Sequence, residues 1–133
     1  LLHKELKLGP EVELSPFISD VVSEILGADL IVSRAGAMSV AEISAAAVPC
    51  IFVPFPFAAD DHQKKNAALL ENDGAARMVI EGEAFVERLK KSISELVFEE
   101  GNFERRLNLH QKFLRWGRPH ATQELRDKIL EKR

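Results

Sequence analysis

The stretch Asp29–Val53, DLIVSRAGAMSVAEISAAAVPCIFV, decides how the chain is read. Asp29–Ser33 (DLIVS) and Cys50–Val53 (CIFV) are short apolar runs, continuous rather than alternating, as expected of strands covered on both faces. Between them the small-residue loop Arg34–Met38 leads into a helix that starts near Ser39, with Val40, Ile43, Ser44 and Ala47 at i, i+3, i+4 and i+7. Val48-Pro49 closes that helix, because a proline ring disfavours helical geometry in the residue before it. A strand, a helix and a second strand in direct succession indicate a crossover and a parallel pair.

Working outward, Val12–Leu14 reads as the end of a strand broken by Ser15-Pro16. Ser19 or Asp20 then caps a helix with Val21, Val22, Ile25 and Leu26 on one face and Gly27 as its stop. Downstream, Pro54-Phe55-Pro56-Phe57 cannot be a central strand, since each proline lacks a ladder donor. A helix follows from Asp60 or Asp61 to about Glu71, closed by Asn72-Asp73-Gly74, and Arg77–Ile80 is a last short strand. Beyond it the pattern is helical. Val86, Leu89, Ile93, Leu96 and Val97 form one stripe, and Phe103, Leu107, Phe113 and Leu114 a second; Ala121, Leu125 and Ile129 form a third, with Pro119 near that helix's start. The expected fold is α/β, a doubly wound parallel sheet with a helical C-terminal tail. It is read as a single domain over residues 1–133, with an α/β part at 1–100 and helices at 101–133.

The 133 residues are 46% hydrophobic and 29% charged, the profile of one globular domain. No apolar run reaches the roughly 18–20 residues that span a bilayer, and the lysines within the first fourteen residues do not suit a secretory signal. The single cysteine, Cys50, has no internal disulfide partner, so a reducing compartment and an inert strand position are expected. The chain opens on Leu1 rather than Met, which suggests a piece of something longer. Net charge is −3, split as −7 over residues 1–83 and +4 over residues 84–133. The basic third suits either an anionic surface or a solvated helical face of mixed sign, and overall acidity argues against a nucleic-acid binder. The segment with Arg105, Arg106, Lys112, Arg115 and Arg118 around Leu107, Phe113, Leu114 and Trp116 is amphipathic; it either lies on anionic lipid or packs on the domain.

Ligands of such sheets bind beyond the carboxyl ends of the strands, which directs attention to two loops, Arg34–Ser39 and Pro54–Gln63. In the first, Gly36 between two alanines lets a ligand approach the backbone, and the helix start that follows favours an anion, phosphate above all. Ser39 can add a hydroxyl, and Glu42 can accept from the vicinal hydroxyls of a ribose. Ser39-Val40-Ala41-Glu42 also fits a capping box, a role that competes with sugar binding. In the second loop Asp60 and Asp61 suit helix caps, while His62 and Gln63 suit sugar hydroxyls. No metal-ligand spacing, Walker A motif or Gly-x-Gly-x-x-Gly pattern is present, and no cofactor is expected.

Ala28–Ile43, with Arg34-Ala35-Gly36-Ala37-Met38-Ser39-Val40-Ala41-Glu42 at its centre, closely resembles the donor-binding motif of the MurG family of bacterial glycosyltransferases. Val48–Pro54 and Ala59–Ala67 are similar to the family's second motif, at the expected distance. The resemblance runs from about Ser15 to Ile80 and more weakly to the end. It implies the C-terminal half of a GT-B enzyme with Rossmann-like domains, which transfers N-acetylglucosamine from UDP-GlcNAc to an undecaprenyl-linked acceptor in peptidoglycan synthesis. By the same resemblance Phe17 and Ile18 lie against uracil, and Gly36, Ala37, Met38 and Ser39 meet the pyrophosphate. Glu42 holds the ribose, and His62, Gln63 and Asn66 hold GlcNAc. The reaction implied is inverting and metal-free. Catalytic groups and acceptor binding are expected on an N-terminal domain not in these residues, so the chain is expected to be inactive alone. The place implied is the cytoplasm, peripheral on the inner face of the membrane. Two other readings are a donor-binding subunit of a dolichol-type UDP-sugar transferase and a non-catalytic scaffold module.

Overall fold

The structure, a computed structural model, describes residues 6–120 and, beyond them, residues 127, 130 and 131. In chain order its elements are α1 (Val21–Leu26), β1 (Ile31–Ser33), α2 (Ala37–Ala46), β2 (Cys50–Phe52), a 3-10 turn (Ala59–Asp61), α3 (His62–Asn72), β3 (Arg77–Met78), α4 (Phe85–Val97) and α5 (Asn102–His120). The three strands form one parallel sheet in the order β1-β2-β3, with Ile31 opposite Cys50, Ile51 opposite Arg77 and Phe52 opposite Met78. The ladder continues past β2 and β3, where Val53 N–H donates to Ser33 O and Val79 N–H to Phe52 O. Because the strands advance in one direction and parallel crossovers share one hand, α2 and α3 fall on the same side of the sheet.

Burial follows that geometry. Cys50 and Phe52 point to the side of α1, α2 and α3, into a core with Val22, Ile25, Val40, Ile43, Ala67, Leu70 and Phe113. Ile51 points the other way, with Val79, Leu96 and Leu109 and the half-buried Leu89, Ile93 and Val97 of α4. β2 is thus covered on both faces, as its continuous apolar run requires. α5 contributes to both layers: Leu109 to the α4 side, and Phe113 to the other, where its ring meets Phe52 edge-on at 6.4 Å between centroids. Burial pushes the Cys50 thiol well above its ordinary pKa, which leaves it protonated and unreactive as the sequence suggested.

Side chains close the element ends. Asp20 caps α1 by accepting from Ser23 N–H. α3 ends with Gly74 at φ +70°, where Gly74 N–H donates to Glu71 O and Ala75 N–H to Leu70 O; this paired closure needs a left-handed residue. Glu71 accepts from Met78 N–H on the outer edge of β3, satisfying a donor that an edge strand would leave open. Arg77 bridges β3 to α4 through Glu95 at 2.7 Å. Arg105 and Arg106 donate to the carbonyls of Glu95 and Leu96 at the end of α4.

Several expectations are corrected. Val12–Leu14 is not in a strand; these residues are exposed, and no described strand lies beside them to hold a ladder. Strand β1 is shorter than Asp29–Ser33, and Val32 stays 45% exposed because no described helix covers it. Val21 and Val86 face solvent, one position off their helices' buried stripes. On α5 the buried face is Leu109, Phe113 and Gly117 rather than a stripe through Phe103 and Leu107, both of which are exposed. α5 runs on through Pro119, which therefore does not begin a new helix. Ala121, Leu125 and Ile129 lie outside the described residues. Of the basic amphipathic segment, Phe113, Leu114 and Trp116 pack on the core.

Gly117 sets how closely α5 crosses α2. A Cβ there would collide with the Ser44 carbonyl, whose carbon would lie 3.0 Å away. Neither atom is the end of a flexible side chain, so the helices would have to separate. Gly117→Ala is therefore expected to lower unfolding free energy by more than about 2 kcal/mol in urea titration, despite alanine's better helix propensity. An unchanged midpoint would contradict this packing.

Candidate functional site

The carboxyl ends of β1, β2 and β3 open on one side of the sheet, and the loops that follow them are tied together by side chains. After β1 the chain passes through Arg34 and Ala35 to Gly36, which is the N-cap of α2 with φ −65° and ψ 152° and has no side chain to offer. Val40 N–H donates to Gly36 O at 2.9 Å, so the helix proper starts two residues earlier than Ser39. The N–H groups of Gly36, Ala37, Met38 and Ser39 have no acceptor among the described residues. Four aligned donors at the positive end of a ten-residue helix make an anion site by geometry alone.

The capping box does not form. Ser39 stands inside the first turn instead of ahead of it, so its hydroxyl cannot take the N-cap role. Neither Ser39 nor Glu42 makes a side-chain hydrogen bond to any described residue, and both are half-buried. The competition between capping and ligand binding is therefore absent, and the Glu42 carboxylate stands one turn along from the free donors.

Gln63 and Asn66, on the first two turns of α3, reach back to the same loop. Gln63 Oε1 accepts from Ala35 N–H at 3.2 Å and from Phe55 N–H at 2.9 Å; Asn66 Nδ2 donates to Ala35 O at 3.1 Å. Gln63 Oε1 and Asn66 Nδ2 are thus engaged inside the fold, while Gln63 Nε2 and Asn66 Oδ1 make no hydrogen bond to a described residue. His62, the first residue of α3, is exposed. Asp61 occupies the N-cap position of α3 at φ +55° without any side-chain cap bond, so it does not act as the cap its position suggested; Asp60 lies in the 3-10 turn before it. Aspartate tolerates the left-handed region better than most residues, which suits it to this sharp junction.

Phe17 and Ile18 are exposed and line a separate depression of about 470 Å³ with Leu14, Ser15, Asp20 and Glu24. Ala37 and Asn66 line a recess of about 210 Å³ with Val40, Ala41 and Trp116. The structure thus gathers Gly36, Ala37, Met38, Ser39, Gln63 and Asn66 at one helix start, with Phe17 and Ile18 in their own depression. A further depression, about 580 Å³, opens at the other end of the sheet around Asp29, Pro49, Phe103 and His110 and has no part in this arrangement.

Sequence reasoning did not single out Arg34 and Glu81. The Arg34 guanidinium reaches both Glu81 carboxylate oxygens at 3.2 and 3.5 Å, approaches the carbonyls of Val53 and Pro54, and lies 5.5 Å from the centroid of the Phe55 ring. One side chain thereby joins the loops after all three strands. A partner 47 residues away leaves no local signature. The pair is partly exposed (48% and 34%), so it contributes under about 1 kcal/mol to stability and serves mainly as a spacer.

With this geometry in place, the comparisons with known proteins become specific. Residues 2–115 match the glycosyltransferase family 28 C-terminal domain, and the chain belongs to that family. It is 51% identical over 84 residues to the UDP-N-acetylglucosamine–N-acetylmuramyl-(pentapeptide) pyrophosphoryl-undecaprenol N-acetylglucosamine transferase of Paraburkholderia xenovorans, an alignment covering 63% of this chain and 23% of that one. The protein of the same name from Caldicellulosiruptor saccharolyticus is 37% identical over 126 residues, covering 95% of this chain and 33% of its own length. Among solved structures, MurG of Acinetobacter baumannii superposes with a TM-score of 0.73 at 35% identity, covering 90% of this chain and 35% of that one. The chain therefore spans 23–35% of the length of these relatives, and its fold is the Rossmann-like α/β arrangement of a GT-B C-terminal half.

Gly36 distinguishes a fold requirement from a ligand requirement. Its φ is ordinary for any residue, and an added Cβ would meet only Gln63 Nε2 at 3.6 Å, a normal contact. Gly36→Ala is expected to change unfolding free energy by less than about 1 kcal/mol, since alanine's poorer capping is offset by the lost freedom of the unfolded chain. A larger loss in urea titration would show that the fold itself needs the glycine.

Proposed function

We propose that this chain carries the nucleotide-sugar donor site of a UDP-N-acetylglucosamine transferase of the MurG type, acting in peptidoglycan synthesis. The observation that carries the reading is the start of α2: four unpaired backbone donors beside a glycine, followed one turn later by an unpaired, half-buried carboxylate. A diphosphate satisfies the donors of Gly36, Ala37, Met38 and Ser39, to which the Ser39 hydroxyl adds one more. Glu42 accepts from the two ribose hydroxyls, Phe17 and Ile18 offer an apolar surface to uracil, and His62 stands at the sugar end. As an acceptor hydroxyl attacks the anomeric carbon, the bond to the β-phosphate oxygen breaks and UDP leaves. Charge then grows where the helix dipole and the amides point, which lowers the barrier without reorganisation.

In this reading residues 1–133 are one donor-binding domain. The undecaprenyl-linked acceptor, and the group that takes its proton, belong to the portion of the relatives' length that the chain does not span. Contact with the inner membrane face follows from a lipid-linked acceptor. No helix of the described residues is long and apolar enough to cross a membrane.

Calorimetric titration of UDP-GlcNAc into the chain tests the reading. Saturable binding is expected, weakened on the order of ten- to a hundredfold by Glu42→Ala, as loss of a charged hydrogen bond implies. Equal affinity in the variant would remove Glu42 from the site.

A further inference from the structure

The apolar pair Phe103 and Leu107, one turn apart on α5, stays outside the core, with Phe103 61% and Leu107 41% exposed. Both line the depression of about 580 Å³ at the end of the sheet opposite the start of α2, together with Leu26, Val48 and Pro49. The space is ample for a phenylalanine side chain, yet Phe103 lines its wall and keeps most of its own surface in water. The polar groups around it are unbalanced. Asp29 is exposed, and its carboxylate makes no hydrogen bond or ion pair with a described residue. Arg106 donates to Leu96 O and Asn102 Oδ1, and Arg105 to Glu95 O; neither meets a carboxylate. One face thus carries an apolar knob beside an apolar hole and an acid beside bases, and none of them is paired.

We propose that this face is an isologous dimer interface, occupied by a second copy of the chain. A two-fold axis through the depression seats Phe103 of each copy against Leu26 and Pro49 of the other, and sets Asp29 of each beside Arg106 of the other. Two-fold symmetry requires a self-complementary patch, and every contact in it occurs twice. An unrelated partner needs only the hole; a second copy also uses the knob and the opposite charges that share its rim. Burial in the pair accounts for an apolar stripe at Phe103 and Leu107 that the fold of one copy does not cover. The ten residues of α2 separate this face from the open amides by about 15 Å, so both sets of amides stay accessible in the dimer. The inference is independent of what those amides bind.

Sedimentation velocity of the chain between about 10 μM and 1 mM tests the pairing, the range in which a small interface associates. The weight-average mass is expected to rise with concentration from monomer towards dimer. Phe103→Glu is expected to hold the chain monomeric at every concentration, with its far-ultraviolet circular dichroism unchanged because the side chain lies outside the core. Asp29→Lys sets like charges across the axis at two places. It is expected to raise the dimer dissociation constant roughly three- to thirtyfold, and by less at about 0.5 M salt, where exposed charges are screened.

Amide shifts that depend on concentration locate the contact. They are expected at Asp29, Ala47, Phe103 and Leu107, with Gly36 to Ser39 unmoved. A chain that stays monomeric throughout overturns the proposal. So does association that Phe103→Glu leaves intact, or shifts centred instead on the edge strand β1 at Val32, the other exposed apolar position on the sheet. Should Phe103→Glu fail to fold, Leu107→Gln and Asp29→Lys carry the same comparison.

Discussion

The backbone donors at the start of α2 are the constraint around which the rest is arranged. A helix start normally satisfies these groups with a side chain from the N-cap residue. Here the N-cap is glycine and nothing among the described residues substitutes for it. Leaving the donors open sacrifices capping stability, which packing elsewhere must offset. The open donors are also what allows an incoming anion to be held by groups that need no rearrangement.

The offsetting structure is layered beneath the site. Ala35 is locked by Gln63 and Asn66, and Arg34 spans the loops after the three strands through Glu81 and Phe55. Below these polar ties, α2 is pressed against α5 at the Ser44–Gly117 crossing, and the sheet meets α5 through the edge-on pair of Phe52 and Phe113. The tail helix thus buttresses the element whose amino end forms the site. The basic residues at its start have a structural use: Arg105 and Arg106 close the carboxyl end of α4, where a positive charge is favoured by the helix dipole.

Much of this was legible in the sequence, for reasons that differ by element. Continuous apolar runs such as CIFV can only be strands covered twice, and Cys50–Phe52 is buried throughout as that requires. The helix periodicity of α2 and the glycine closing α3 are equally plain. Single-sequence patterns cannot decide which of two adjacent apolar residues is turned inward, as at Val21-Val22 and Phe85-Val86, nor which of two offset stripes on α5 is buried, as at Phe103 and Leu107. At the site, the Ser39–Glu42 spacing suited a cap only if the helix began at Ser39, and two further residues of helix removed that role. The reach of Gln63 to two loops and of Arg34 to Glu81 depends on tertiary closure, for which spacing along the chain carries no signal.

The most direct test of the central claim is an amide-resolved nuclear magnetic resonance titration of the chain with UDP. The account expects the largest shifts at the N–H groups of Gly36, Ala37, Met38 and Ser39, moving together with one saturation curve. Saturable binding that leaves those four amides unmoved, with shifts instead around Asp29, Pro49 and His110 at the opposite end of the sheet, would contradict it.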